Sequence, residues 1–226
     1  MSSETNAGSA RELERELRAK GMEDERVLAA LRAVPRERFV PDEDLARAWR
    51  DRALPLPHGQ SISQPFVVAT MCAAAKLGPH SKVLEVGTGW GYAAAILGRL
   101  ARSVVSLERV PELACEARRR LAEVGAENVR VLERDGWLGC PEEAPFDAIV
   151  VAAAAERVPE ELVRELAPGG RIVLPIGAHD QRLVVLEKTE RGLSRRDLFP
   201  VRFVPLVRDE REGHDPRDGM GEHGSR

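Results

Sequence analysis

The stretch Val83-Leu84-Glu85-Val86-Gly87-Thr88-Gly89-Trp90-Gly91-Tyr92 carries the strongest chemical signal in the chain. Glycines at alternate positions after an apolar run let the backbone turn tightly and approach a ligand with no Cβ in the way. The spacing is G-x-G-x-G, unlike the G-x-G-x-x-G of pyrophosphate-binding dinucleotide sites. Glu108 ends the next apolar run, about 20 positions after Gly87, where a carboxylate can accept hydrogen bonds from both hydroxyls of a ribose. Asp135-Gly136 follows a third run. It reads equally well as an ordinary Asp-Gly turn and as the holder of an adenine amino group. Gly87, Thr88, Gly89, Gly91, Glu108, Asp135 and Gly136 together imply an adenosyl ligand at one edge of a sheet. NAD is disfavoured by the glycine spacing, which leaves S-adenosylmethionine as the better match.

A second constellation is His58-Gly59-Gln60-Ser61-Ile62-Ser63-Gln64-Pro65, directly before the apolar run Phe66–Leu77. Pro65 suits the first position of a helix, where its missing N–H costs nothing. Ser63 or Gln64 would then be the cap, and taken alone the residues favour that structural reading. The same helix start, with free N–H groups and hydroxyls, is also able to bind a carboxylate.

The elements that must position these residues emerge from periodicity. Ser9 and Glu12 form a capping-box signal ahead of Leu13 and Leu17, and Asp24 precedes Val27, Leu28 and Leu31 at helical spacing until Pro35 intervenes. A third short helix is predicted over Asp42 to Arg50. From Lys82 the pattern alternates between strands (Lys82–Val86, Ser103–Glu108, Val129–Glu133, Ala148–Val151, Arg171–Pro175) and helices (Ala93–Leu100, Pro111 to Val124, Pro159–Leu166). Alternation of this kind predicts βαβ units and a mostly parallel sheet. Leu183–Lys188 and Phe199–Val207 read as two more strands joined by a short loop, hence an antiparallel pair. Residues 1–8 and 209–226 read as disordered polar tails. Residues 9–208 read as one domain, with a helical part at 9–77 and a cofactor-binding sheet at 78–208.

Composition narrows the functional classes. Net charge is −3 over 226 residues with both signs interspersed, so no basic stripe marks a nucleic-acid partner. The Arg118–Arg120 run fits a solvated helix face. Cys72, Cys115 and Cys140 are an odd number without CxxC, which points to a reducing compartment. The five histidines lack ligand spacing, so no metal is expected. The N-terminus has no apolar signal core, and Phe66–Ala75 is too short to span a bilayer. A cytoplasmic protein without a membrane partner is expected.

Taken together, the two constellations resemble the protein-L-isoaspartate O-methyltransferase family. The resemblance runs from Asp24-Glu25-Arg26-Val27-Leu28 and Ala33-Val34-Pro35-Arg36-Glu37-Arg38-Phe39-Val40 to Arg202-Phe203-Val204-Pro205-Leu206. Gln60-Ser61-Ile62-Ser63-Gln64-Pro65 is its specific part, because methyltransferases in general share only the glycine loop. It implies a class I S-adenosylmethionine-dependent, Rossmann-like fold, with a seven-stranded mostly parallel sheet, an antiparallel C-terminal strand pair and a helical N-terminal extension. It implies Ser63 as the active-site residue, and cofactor binding by Ser61, Ile62, Gly87, Thr88, Gly89, Gly91, Glu108, Asp135 and Gly136. Isoaspartyl-containing proteins and peptides would be the substrates, and a monomer is expected. A related enzyme for normal aspartate in a dedicated precursor peptide, or a small-molecule methyltransferase, is the alternative. Four positions depart from the family pattern: Ser61 for Thr, Trp90 for a small residue, and Ala152 and Val207 where Thr is common.

Overall fold

A computed structural model describes residues 2–208 of the chain; the tail expected over 209–226 lies outside them. Helix α1 (Ser2–Ala19) takes in residues 2–8, expected as a tail, and Ser9, expected as its cap, and buries Leu13 and Leu17 against α2 (Glu25–Ala33). Asp24 caps α2 as its sequence signals, accepting the amides of Arg26 and Val27 at 3.0 and 3.1 Å. The predicted third helix is instead a 3₁₀ turn over Asp42–Arg47, preceded by another over Arg36–Phe39. Three residues per turn places Asp44 in register with Arg47, and the buried Asp44 carboxylate pairs with that guanidinium.

Two short strands, β1 (Leu54–Pro55) and β2 (Ser61–Ile62), pair antiparallel. The loop between them turns through left-handed conformations at His58 and Gly59 (φ 59° and 68°) and is closed by Leu56 N–H donating to the Gln60 carbonyl at 2.8 Å. Helix α3 (Pro65–Ala75) follows, apolar on nearly every side and largely buried.

The sheet comprises β3 (Lys82–Val86), β4 (Ser103–Glu108), β5 (Val129–Glu133), β6 (Phe146–Val151), β7 (Leu166–Ile176), β8 (Arg182–Thr189) and β9 (Gly192–Pro200). Helices α4 (Tyr92–Leu100), α5 (Pro111–Glu123) and α6 (Glu160–Glu165) connect its parallel strands. The spatial order is β5-β4-β3-β6-β7-β8-β9, parallel through β7 and antiparallel for the last two pairings, as the sequence pattern implies.

One strand lies elsewhere than predicted. The second antiparallel strand is β9, and Val201–Arg208 is not part of the sheet. β8 and β9 meet in a tight hairpin with Thr189 opposite Gly192, where Gly192 adopts φ 107°. Because β9 is the exposed sheet edge, it carries Arg195, Arg196 and Asp197 in a pattern that reads as a loop. The apolar residues after it leave the sheet: Ala154 donates to the Val204 carbonyl at 2.8 Å and accepts from Leu206 N–H at 2.7 Å.

The side-chain period of two divides the core between the sheet faces. Leu84, Val86, Val105 and Leu107 pack on one face with Ile149, Val151 and Leu162. Val83 and Val104 pack on the other, under α3, α4 and the N-terminal helices. The same alternation sends Glu85 and Ser106, register partners in neighbouring strands, into that second face.

Because Asp24 supplies two amide acceptors at the start of α2, Asp24→Ala should lower stability by about 1 kcal/mol. Urea unfolding would show a lower midpoint with an unchanged slope. An unshifted midpoint would mean that solvent replaces the cap without cost.

Candidate active site

β3 is flanked by β4, the next strand in the chain, and by β6, which the chain reaches only after completing β5. The connections leave β3 and β6 in opposite directions, so a crevice opens beyond their carboxyl ends, the usual position for a ligand in an open α/β sheet. The glycine loop lies there. Gly87, Gly89 and Gly91 have φ of 92°, 56° and 96°, a region that L side chains rarely adopt. The amides of Gly87 and Thr88 bind the Leu107 carbonyl at 2.9 and 3.2 Å, which pins the loop to the end of β4.

Glu108 stands across from the loop, 6% exposed. Its Oε2 accepts Gly89 N–H at 2.8 Å and its Oε1 accepts Val110 N–H at 3.1 Å. Burial raises its pKa above the usual carboxylate value, opposed by the amides of Val110 and Gly89 and by Arg109. Each carboxylate oxygen retains lone-pair capacity for a ligand hydroxyl.

Beneath the loop, Glu85 is fully buried and accepts a hydrogen bond from Ser106 Oγ, which also shares one with Thr88 Oγ1. Glu85 Oε1 has no partner among the described residues. Burial pushes this carboxyl up to about 8; the Ser106 bond opposes the shift and Glu108 adds to it.

The crevice opens to solvent at its mouth and is walled by both the glycine loop and the Ser61–Ser63 segment. Of the residues singled out in the sequence, Ser61, Ile62, Ser63, Gly87, Thr88, Gly89, Glu108 and Gly136 line it. Gly91 and Asp135 do not. Gly91 starts α4 with its backbone close to Leu121, where an added Cβ would come within 3.1 Å. Asp135 is buried and caps the short turn Gly136–Leu138 by accepting Trp137 N–H at 2.8 Å, so the turn reading describes at least one of its oxygens. Gly136 has no room for a side chain, because a Cβ would lie 2.2 Å from Val86 Cγ1.

The structure also separates the two readings of the Ser63 segment. Neither Ser63 nor Gln64 caps α3. That task falls to Asp51, whose Oδ1 accepts Phe66 N–H at 2.7 Å and whose Oδ2 accepts Gln64 Nε2 at 2.9 Å. Lys20 Nζ lies 2.6 Å from the same Oδ2. The helix N-terminus therefore already holds a carboxylate, and the anion site expected there from sequence is filled by the protein itself. The Ser63 hydroxyl is released from capping, and Ser61 and Ser63 line both the crevice and a second groove bounded by Phe66 and by Phe199–Val204.

Sequence reasoning missed part of the wall. Leu56, Arg109 and Val204–Val207 also line the crevice. The Arg202–Leu206 motif marked the last of these, but its apolar run suggested a strand. Trp90, one of the departures from the family pattern, lines the crevice with Arg120 stacked on its ring at 3.8 Å. Arg120 donates also to the Arg38 carbonyl and to Glu116, so this arginine, stacked on the tryptophan, joins α5 to the N-terminal part. Ala152 packs beside Gly87, and Val207 is 41% exposed at the mouth.

Comparison with known proteins gives a consistent picture. Residues 8–211 match the family model described as protein-L-isoaspartate(D-aspartate) O-methyltransferase. A protein-L-isoaspartate O-methyltransferase of Gloeobacter violaceus is 50% identical over 204 residues, which are 89% of this chain and 100% of that protein. One of Methanoculleus marisnigri is 47% identical, with 86% and 89% covered. A solved protein-L-isoaspartate O-methyltransferase superposes with a TM-score of 0.81 at 29% identity, covering 88% of this chain and 66% of that one. A Plasmodium falciparum protein assigned to the same activity, in complex with S-adenosyl-L-homocysteine, gives 0.76 at 25% identity, covering 88% and 98%.

The buried Glu85 yields a prediction of its own. Its folded-state pKa, about 8, lies above the unfolded value, so the folded protein holds the extra proton between roughly pH 4.5 and 8. The resulting stability is fully present below the unfolded pKa and is lost as pH rises through the folded one. Denaturation at a series of pH values should therefore show a decline across that window, and Glu85→Gln should flatten it. A parallel decline in the variant would trace the pH dependence to other groups.

Proposed function

The chain belongs to the protein-L-isoaspartate(D-aspartate) O-methyltransferase family, and we infer that it is a repair enzyme that esterifies the free α-carboxylate of L-isoaspartyl residues in damaged proteins and peptides. S-adenosylmethionine, when bound, supplies the methyl group. The glycine loop fits such a ligand, because its backbone lies open to the crevice and Glu108 stands opposite. In this reading Glu108 takes the ribose hydroxyls, Gly136 borders the adenine with Asp135 holding its turn from behind, and Gly87, Thr88, Gly89 and Gly91 shape the loop around the rest. Ser61 and Ile62 close the side nearest the substrate.

A carboxylate with a pKa of about 4 is ionised at neutral pH and needs no general base. What the protein must supply is alignment, which can contribute on the order of 7–11 kcal/mol. Ser63 is assigned to hold the substrate carboxylate. The observation that carries this assignment is its place at the junction of crevice and outer groove, with the capping task transferred to Asp51. Withdrawal of the carboxylate and the methyl donor from water favours a reaction in which opposite charges are neutralised.

Action in the cytoplasm, as a monomer and without nucleic acid, completes the reading. Support comes from the three free cysteines for the compartment and from the interspersed charges for the lack of a nucleic-acid partner.

Labelled methyl transfer to matched peptides should favour L-isoaspartate over normal L-aspartate. Preference for normal aspartate would instead assign the protein to dedicated peptide maturation. Ser63→Ala should lower kcat/KM for the peptide roughly 10- to 100-fold, the cost of one hydrogen bond to a charged group, with cofactor binding intact. Unchanged turnover would remove the serine from the mechanism. Glu108→Ala should raise the cofactor KM at least about tenfold, with a smaller loss at saturating cofactor.

A further inference from the structure

Ser63 sits between a two-residue strand and the first turn of a helix, so its position is set from outside the segment. Two buried ionic side chains set it. Arg36 is 0% exposed; its Nε donates to the Ala48 carbonyl at 2.8 Å and its Nη2 to the carbonyls of Arg52 at 3.2 Å and Ser63 at 3.0 Å. Its guanidinium carbon also lies 4.6 Å from the centre of the Tyr92 ring, on the residue directly after the last loop glycine. Asp51, its side chain fully buried, holds Gln64 and Phe66, the first and third residues past the serine, on the side of the segment that carries α3.

Burying charge is costly, and an apolar side chain could fill the same space. These carbonyls nevertheless need donors, and only a planar fork reaches three of them from separate segments while stacking on a ring. A lysine, a point charge on a flexible stem, can serve one or two at most. The consequence is geometric. One cation connects the substrate-side serine to the helix that begins where the cofactor loop ends.

We propose that Arg36 and Asp51 are positioning residues for methyl transfer: Arg36 fixes the Ser63 backbone relative to the glycine loop through Tyr92, and Asp51 frees the Ser63 hydroxyl by capping α3 in its place. The inference rests on the assignment of Ser63 to the substrate carboxylate. Neither residue lines the crevice, so both act through the segment they hold.

A kinetic double-mutant cycle tests it. At saturating cofactor, Arg36→Lys should lower kcat roughly 10- to 100-fold, the cost of a small misplacement at the reacting centre, with cofactor KM within about twofold. In a Ser63→Ala background the same change should cost less than about threefold, because the group being positioned is gone. Equal losses in the two backgrounds, or no loss at all, would overturn the inference, since a general weakening of the fold acts on both alike. Asp51→Ala, which removes the acceptor that caps α3, should reproduce the pattern, and it carries the test alone if the lysine variant does not fold. Wild-type turnover by Ser63→Ala would overturn the serine's assignment and this inference with it. An impaired Ser63→Ala with independent losses would overturn only the latter.

Discussion

β3 is paired on both sides, with β4 and with β6, and the chain completes one half of the sheet before it begins the other. That pairing dictates where the site must lie. Two crossover connections depart in opposite directions from neighbouring strand ends, and the space between them cannot be filled by either. Ala152 N–H binds the Val86 carbonyl at 2.7 Å just below the opening, so the two strands separate at a defined level. The glycines then occupy a backbone path that has to turn within a residue or two of that point.

The open crevice is completed by parts of the chain remote in sequence. The N-terminal helices share one continuous apolar core with α3, α4 and a face of the sheet, so Ser61 and Ser63 are presented by a rigid body and not by a mobile arm. The polar groups inside this body divide between two tasks. Glu85 and Ser106 support the loop from below, while Arg36 and Asp51 hold the opposite rim. Arg36 and Asp51 are buried with backbone partners that an apolar residue would leave unsatisfied, whereas Glu85 keeps one oxygen without a partner among the described residues.

The sheet and the ligand loop were legible in the sequence because their signals are local. An apolar run, a glycine cluster and an acidic residue one strand later need no knowledge of the fold. The helix start at Pro65 was legible for the same reason, but the identity of its cap was not. Asp51 lies 15 positions upstream of the amide it accepts, and nothing in its neighbourhood announces a cap. β9 was misplaced because an exposed edge strand with Arg195, Arg196 and Asp197 lacks apolar alternation, whereas the adjoining Phe199–Val207 has the composition of a strand. Its apolar side chains face a crevice and a groove instead of a neighbouring strand. Leu56 reaches the wall through the β1–β2 loop, whose left-handed turn at His58 no sequence rule indicates.

The last stretch described, Val204 to Val207, is fastened to Ala154 by two backbone hydrogen bonds and forms one wall of the crevice. Chains are synthesised from the N-terminus, and their early parts fold first. The glycine loop and the parallel strands are thus made before β8 and β9. A nascent chain halted within β9 has the loop but no wall beside it. Competence to enclose a ligand on that side arrives only when Leu206 has left the exit tunnel, after every strand of the sheet has been made.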